Sequence, residues 1–285
     1  MKIQTLGVMN LLLAAAAFTG STLSVRADDT ATTPATTPAT TQLAAPVATP
    51  NEAPWQFDVI VPVWIAGIDG NATVRGNQQN VNISFDQLKD HLDTSLALGL
   101  DVRKGKFGLY GDVMYMKFSI DAFGPGPGVA NVWTGLKFLE ADAGASYLIV
   151  KAGEEHPFIL EGTAGVRYWY ADTSMTLTGP LGNVLYRGGN TADLVDPVIG
   201  LRGSQYLTRK FHLDFSGDIG GFDINNDTDF TWSATGVATY DFAKWFSVSA
   251  GYKALALDES NGSGASKNGV NLIFNGVLIN VIIKF

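Results

Sequence analysis

The chain has 285 residues, with 19 Lys and Arg against 27 Asp and Glu, and no cysteine. A formal net charge of −8 leaves no basic run to neutralise phosphates, which excludes nucleic acid as a partner. The missing thiols exclude disulfides, thiolate metal sites and a cysteine nucleophile. Charged residues make up only 16% and glycine fills 32 positions, against ~25% charge and ~7% glycine in ordinary soluble domains. That balance fits a turn-rich β protein better than a helical bundle.

Residues 1–27 have the layout of a secretory signal. Lys2 gives the positive start, Leu6 to Phe18 the apolar stretch, and Val25-Arg26-Ala27 the small residues before a cleavage point at Asp28. The other reading, a membrane anchor, needs ~20 apolar residues and finds fewer. Residues 28–54 then hold five of the 11 prolines, the repeat Thr32-Thr33-Pro34-Ala35/Thr36-Thr37-Pro38-Ala39 and a single leucine. Such a segment cannot bury a core and reads as a disordered periplasmic tether, with peptidoglycan as a conceivable contact. No later run of 18 apolar residues exists, so membrane-spanning helices are excluded.

From Trp55 to Phe285 apolar residues recur at every second position. The pattern divides into ten runs, near 56–70, 95–104, 106–119, 136–150, 157–172, 194–207, 211–222, 229–242, 246–257 and 270–285. Short turns at 103–106, 150–156, 208–210 and 243–245 alternate with longer connections at 71–94, 120–135, 173–193, 223–228 and 258–269. That is the loop pattern of an outer-membrane barrel, and an even count puts both termini on the short-turn, periplasmic side. One face, for example Phe57-Val59-Val61-Val63-Ile65, is expected to carry no charge anywhere in the ten runs. The other holds ten acids and five bases: Asp58, Asp101, Asp112, Glu140, Asp142, Glu161, Asp196, Asp214, Asp218 and Asp241, with Arg103, Arg167, Arg202, Lys253 and Lys284. In five runs two charges fall in one strand, and each such pair agrees in phase.

Three features put the apolar face outward: the signal, aromatic residues at both ends of that face, and a final strand ending on Phe285. This ending resembles the terminal strand that the barrel-assembly machinery recognises. The expected fold is therefore an all-β, transmembrane, antiparallel up-and-down barrel of about ten strands, monomeric, with outer-membrane lipid as its surroundings. Pro62 and Pro197 disturb it, because neither can donate a ladder hydrogen bond. Pro62 unsettles the register of the first strand, and Pro197 suggests a bulge near the outer rim.

Several stretches, Trp64-Ile65-Ala66-Gly67-Ile68-Asp69-Gly70, Val74-Arg75-Gly76, Arg103-Lys104-Gly105, Gly165-Val166-Arg167-Tyr168-Trp169, Val195-Asp196-Pro197-Val198-Ile199-Gly200 and Gly217-Asp218-Ile219-Gly220-Gly221-Phe222, together resemble a family of small bacterial outer-membrane β-barrel proteins to which no chemistry is attached. More distantly the chain is similar to OmpA-like small barrels. The resemblance implies fold and location and supplies no catalytic residue.

Within the lumen, Arg167, Arg202 and Lys253 are expected to pair with Asp112, Glu140, Asp142 and Asp218, because unpaired charge is costly there. The same charges could instead line a narrow, weakly cation-selective pore. In the first long connection Ser84 and Gln87 form a capping box, predicting a short helix that closes over the mouth as a lid or plug, or binds a partner. His91 follows it and reads as a surface residue. A rim hydrolase would need a base beside a nucleophile, or paired rim carboxylates with a His–Asp pair. Only isolated acids, Asp121, Asp172 and Asp193, are offered. Asp223, Asn225, Asp227 and Asp229 alternate like a calcium loop but lack its Gly and Glu. No cofactor or metal is expected. The leading role is a scaffold that displays loops to partners.

Overall fold

The structure is a computed structural model that describes residues 54–285 apart from Pro127 and residues 223–227. The signal, the tether and most of the Asp223–Asp229 run lie outside the described residues. Ten antiparallel staves form the wall: β1 (Gln56–Val74), β3 (Leu92–Lys104), β4 (Phe107–Gly126), β5 (Val129–Ala152), β6 (Phe158–Thr178), β7 (Val184–Tyr206), β8 (Phe211–Gly221), β9 (Phe230–Ala243), β10 (Phe246–Asn261) and β11 (Asn268–Lys284). Each pairs with the next in sequence, and β11 pairs back onto β1, so the ring is closed. Closure removes the sheet edges, except where β1 and β3 part beyond Ile60 and Gly99, and closure is what permits a strand wall in hydrocarbon.

An eleventh strand, β2 (Asn77–Ile83), falls in what the sequence pattern treats as a long connection. It folds back on the end of β1 through a two-residue turn, Arg75-Gly76, with Val74 opposite Asn77. Both turn residues have positive φ, 48° and 77°, the conformation that a tight hairpin requires and that Gly76 adopts without strain. After β2 comes α1 (Phe85–Lys89). The connections 120–135 and 173–193 are likewise mostly strand, because β4 to β7 run on past the barrel proper. Alternation stays apolar–polar in the wall and becomes mixed beyond it, which is why these extensions read as loops.

Val61, Val63, Leu96, Leu98, Leu109, Val166, Ile199, Leu213, Tyr252, Val277 and Ile279 all stand exposed on the outside. Aromatics gather at the short-turn end, with Phe107 against Tyr147 at 5.0 Å and Phe242 against Tyr240 at 4.8 Å. The expectation of an outer face without charge needs correcting at its other limit. Lys117, Lys137 and Asp172 share one cross-strand row on that face, with Lys137 Nζ 2.9 Å from Asp172. Asp69 stands exposed on the same face of β1. These residues mark where the apolar band stops. Phe107 to Lys117 is ten residues along β4, and a tilted strand crosses the hydrocarbon in ~9–11.

Both prolines sit where pairing ends. Pro197 forms no bulge; it lies one residue beyond the last β7–β8 pair, Val198 with Gly220, and opposite Val166 on β6. Pro62 keeps its register with β11, opposite Asn280. On its other side the β1–β3 ladder stops at Ile60 and Gly99.

Candidate functional site: a charged floor beneath an apolar chamber

The lumen is filled in tiers. Nearest the short turns, Lys284 Nζ lies 2.7 Å from Asp241, and His212 Nε2 lies 3.3 Å from Asp214. Asp214 also accepts hydrogen bonds from Ser204 and Thr239. In the next tier Arg202 joins Asp101 and Glu161, donates to Ser146 Oγ at 2.9 Å, and stands over the Tyr110 ring at 5.5 Å. Arg103 donates to Asp101 at 2.6 Å. Arg202 is thus not a member of the central cluster in which the sequence puts it. Its strand, β7, sets it opposite Glu161 on β6, two rungs from the next inward acids.

The central cluster is built on Arg167. Its guanidinium makes two parallel hydrogen bonds to Asp142, 2.9 and 2.7 Å, and approaches Asp218 at 3.1 Å and Glu140 at 3.6 Å. The register explains the meeting, since Asp142 and Arg167 are direct partners across β5 and β6. Two-point contact with a carboxylate is what the planar guanidinium does best. Asp112 sits beside Asp142 across β4 and β5. One carboxylate oxygen each from Asp112, Glu140 and Asp142 lies within 4.8 Å of the others. Arg167 already flanks this set, so a cation would have to share it. Lys253 Nζ lies over the Trp64 ring at 5.2 Å.

Above this cluster the lumen turns apolar. Ile68, Phe118, Ile120, Leu136, Trp169, Leu194, Leu255, Leu257, Leu272 and Phe274 form one buried group, with Trp64, Leu88, Leu92, Met116 and Phe138 packed on it. All of them but Leu255 line a cavity of about 540 Å³ whose floor is Asp112, Glu140 and Lys253, a volume within the ~300–1,000 Å³ range of small-molecule sites. Trp169 Nε1 donates to Asp196 at 2.9 Å, which secures one wall. Two buried polar groups at the floor have no hydrogen-bond partner: Trp64 Nε1 and both carboxylate oxygens of Glu140. The sequence does carry a signal for this chamber. Met114-Met116-Phe118-Ile120 on β4 and Val270-Leu272-Phe274 on β11 occupy the lumen phase and are apolar, so alternation fails toward the long loops.

The mouth is roofed by α1. Ser84 N–H donates to Gln87 Oε1 at 2.9 Å and Gln87 N–H to Ser84 Oγ at 3.4 Å, and Lys89 is paired with Asp86 at 2.7 Å, which raises the pKa of the exposed lysine. Phe85, Leu88 and His91 line the cavity. The far end of the helix is tied to β4, where Ser119 N–H donates to the His91 carbonyl at 3.0 Å. Of the rim acids, Asp121 accepts from Asn131 at 3.3 Å and Asp172 is held by Lys137. Asp229 accepts from Ser260 at 2.8 Å.

A closed, even-stranded antiparallel barrel, oily outside and charged within, is the architecture of outer-membrane barrels. Searches of family models and of curated proteins return no match. Among solved structures, the chain is similar to the outer membrane protease OmpT of Escherichia coli, at 12% identity over 83% of this chain and 98% of that one, TM-score 0.47. It is also similar to the translocator domain of the autotransporter NalP of Neisseria meningitidis (13% identity, 80% and 88% covered, TM-score 0.32) and to Neisserial surface protein A (10% identity, 81% and 99% covered, TM-score 0.28). These are likenesses of fold, and the roles in those names stay with those proteins.

Proposed function

We propose that this protein is an outer-membrane barrel that binds a small apolar or amphipathic molecule in its upper chamber and does not conduct ions. The observation that carries this reading is the 540 Å³ apolar cavity ending on polar atoms of Trp64 and Glu140 that make no hydrogen bond. A molecule with an oily body and a hydrogen-bonding end fits both halves of that description. Below it, the packed tiers of ion pairs oppose the narrow-pore reading. The signal is cleaved, the tether reaches into the periplasm, Phe285 serves assembly, and the barrel works as a monomer surrounded by lipid. Binding is tested by titrating the detergent-solubilised protein with a brominated medium-chain fatty acid and following tryptophan emission. Saturable quenching, lost in Met116→Arg, supports the chamber; emission that falls only in proportion to free bromide overturns it.

Surface interaction is favoured as a second role by one observation. The β4–β7 extension beyond the barrel exposes Phe123, Leu181 and Tyr186, the first two at 96% and 95%, and exposed apolar patches mark contact sites. Truncating 180–183 to a two-residue turn removes Leu181 and should leave ligand binding intact while weakening such a contact.

A further inference from the structure

We infer that the chamber opens sideways into the bilayer, through a window between β1 and β3, and that its occupant is a single-chain amphiphile entering from the surrounding lipid. This rests on the chamber reading above and adds the route and the ligand source.

The window is a break in the ladder. β1 and β3 pair from Gln56–Arg103 to Ile60–Gly99. The same register would set Pro62 against Ala97 and Trp64 against Ser95, yet no pair forms there. The backbone explains the break. Phe57 exchanges both hydrogen bonds with Phe285 on β11, so odd-numbered residues of β1 point to β11 and even-numbered ones to β3. Position 62 is therefore the next donor due to β3, and proline has none. Further along, β1 leaves β3 altogether and takes β2 as its partner, from Ile68–Ile83 onward. Gly67 permits the crossing, since a Cβ there would meet the Ile83 carbonyl oxygen at 2.9 Å.

The gap lies in the half of the apolar band nearer the long loops. Its outer lips are Val61 and Val63 of β1 and Leu96 and Leu98 of β3, all exposed on the lipid face. The cavity is continuous with that face, because Val61, Val63 and Leu96 line it together with the inward residues Trp64, Phe138 and Phe274. Unpaired backbone is tolerated at membrane depth only where it lines a cavity, and Pro62 leaves one fewer N–H unpaired there. Phe85 and Leu88 of α1 stand above the gap. The path from bilayer to floor thus meets apolar side chains, with the Ser95 hydroxyl as the one polar group among them, until Trp64, Lys253 and Glu140. An acyl chain can follow it without desolvating a charge, and its polar end would arrive at Trp64 Nε1 and Glu140, which make no hydrogen bond.

The test uses Trp64, at the inner edge of the window, as reporter. Full-length protein is placed in vesicles of phosphatidylcholine carrying brominated acyl chains and in unbrominated vesicles. The Trp64 contribution is the difference between the native protein and Trp64→Phe, and Trp169→Phe gives the same quantity for the enclosed opposite wall. The expected result is that Trp64 loses most of its emission in brominated lipid while Trp169 keeps most of its own. Ala97→Phe, which fills the gap from the lumen side, should restore the Trp64 emission in brominated vesicles. Equal behaviour of the two tryptophans in brominated lipid overturns the window, whatever the variant does. Intact fatty-acid binding in detergent alongside that result means the chamber stands and the side entry fails. Absence of binding in detergent means that the chamber reading itself has failed.

Discussion

At the scale of single residues the structure turns on Arg167 and Pro62. Arg167 is 1% exposed and faces three carboxylates. Removing one partner of a buried ionic group costs about 3–5 kcal/mol, because the remaining charges are left uncompensated. Arg167→Met should therefore lower stability by that order in urea unfolding from lipid vesicles. Glu140→Gln should cost far less, since Glu140 makes no hydrogen bond and its cluster holds four acids against two bases. If the two variants unfold alike, the assignment of Arg167 as the organising charge is wrong. Pro62→Ala supplies the missing donor, and slowed amide exchange across 61–64 is the expected sign that β1 has zipped onto β3. Unchanged exchange would mean that the splay is imposed from β2 and α1 instead.

At the scale of elements, α1 is short and depends on its cap. Replacing such a serine by alanine costs about 1 kcal/mol, and that is roughly a fivefold change in an opening equilibrium. Ser84→Ala should thus speed amide exchange at Leu88, whose N–H is bonded to the Ser84 carbonyl at 3.1 Å, by about that factor. The capping box was legible because it is a local signal of two residues three apart. The staves were legible for a similar reason, as lipid outside and charge inside enforce a period of two. The β2 hairpin was not, because Asn77–Ile83 is exposed over most of its length and shows only Val81 and Ile83 as buried apolar residues, too short an alternation to stand out. The chamber left a partial trace, the apolar lumen phase at the loop ends of β4 and β11. Its lining comes from lumen positions of many strands, and only the closed ring shows that Phe138 and Phe274 stack at 5.6 Å.

At the scale of the whole molecule, the division of the lumen sets what the barrel can do. Ten strands enclose more room than the eight whose side chains just fill a barrel. This chain fills the extra room near the short turns with ion pairs and leaves it open near the long loops. The ion pairs hold the wall in one arrangement and obstruct water, and the oily half is the chamber in which binding is proposed. Single-channel recording in planar lipid bilayers tests that division most directly. The purified native protein should insert and show no discrete current steps at any applied voltage. Stable, ohmic, cation-selective steps from correctly folded protein would contradict it, because a continuous aqueous path would then have to run through the charge clusters around Arg167 and Arg202.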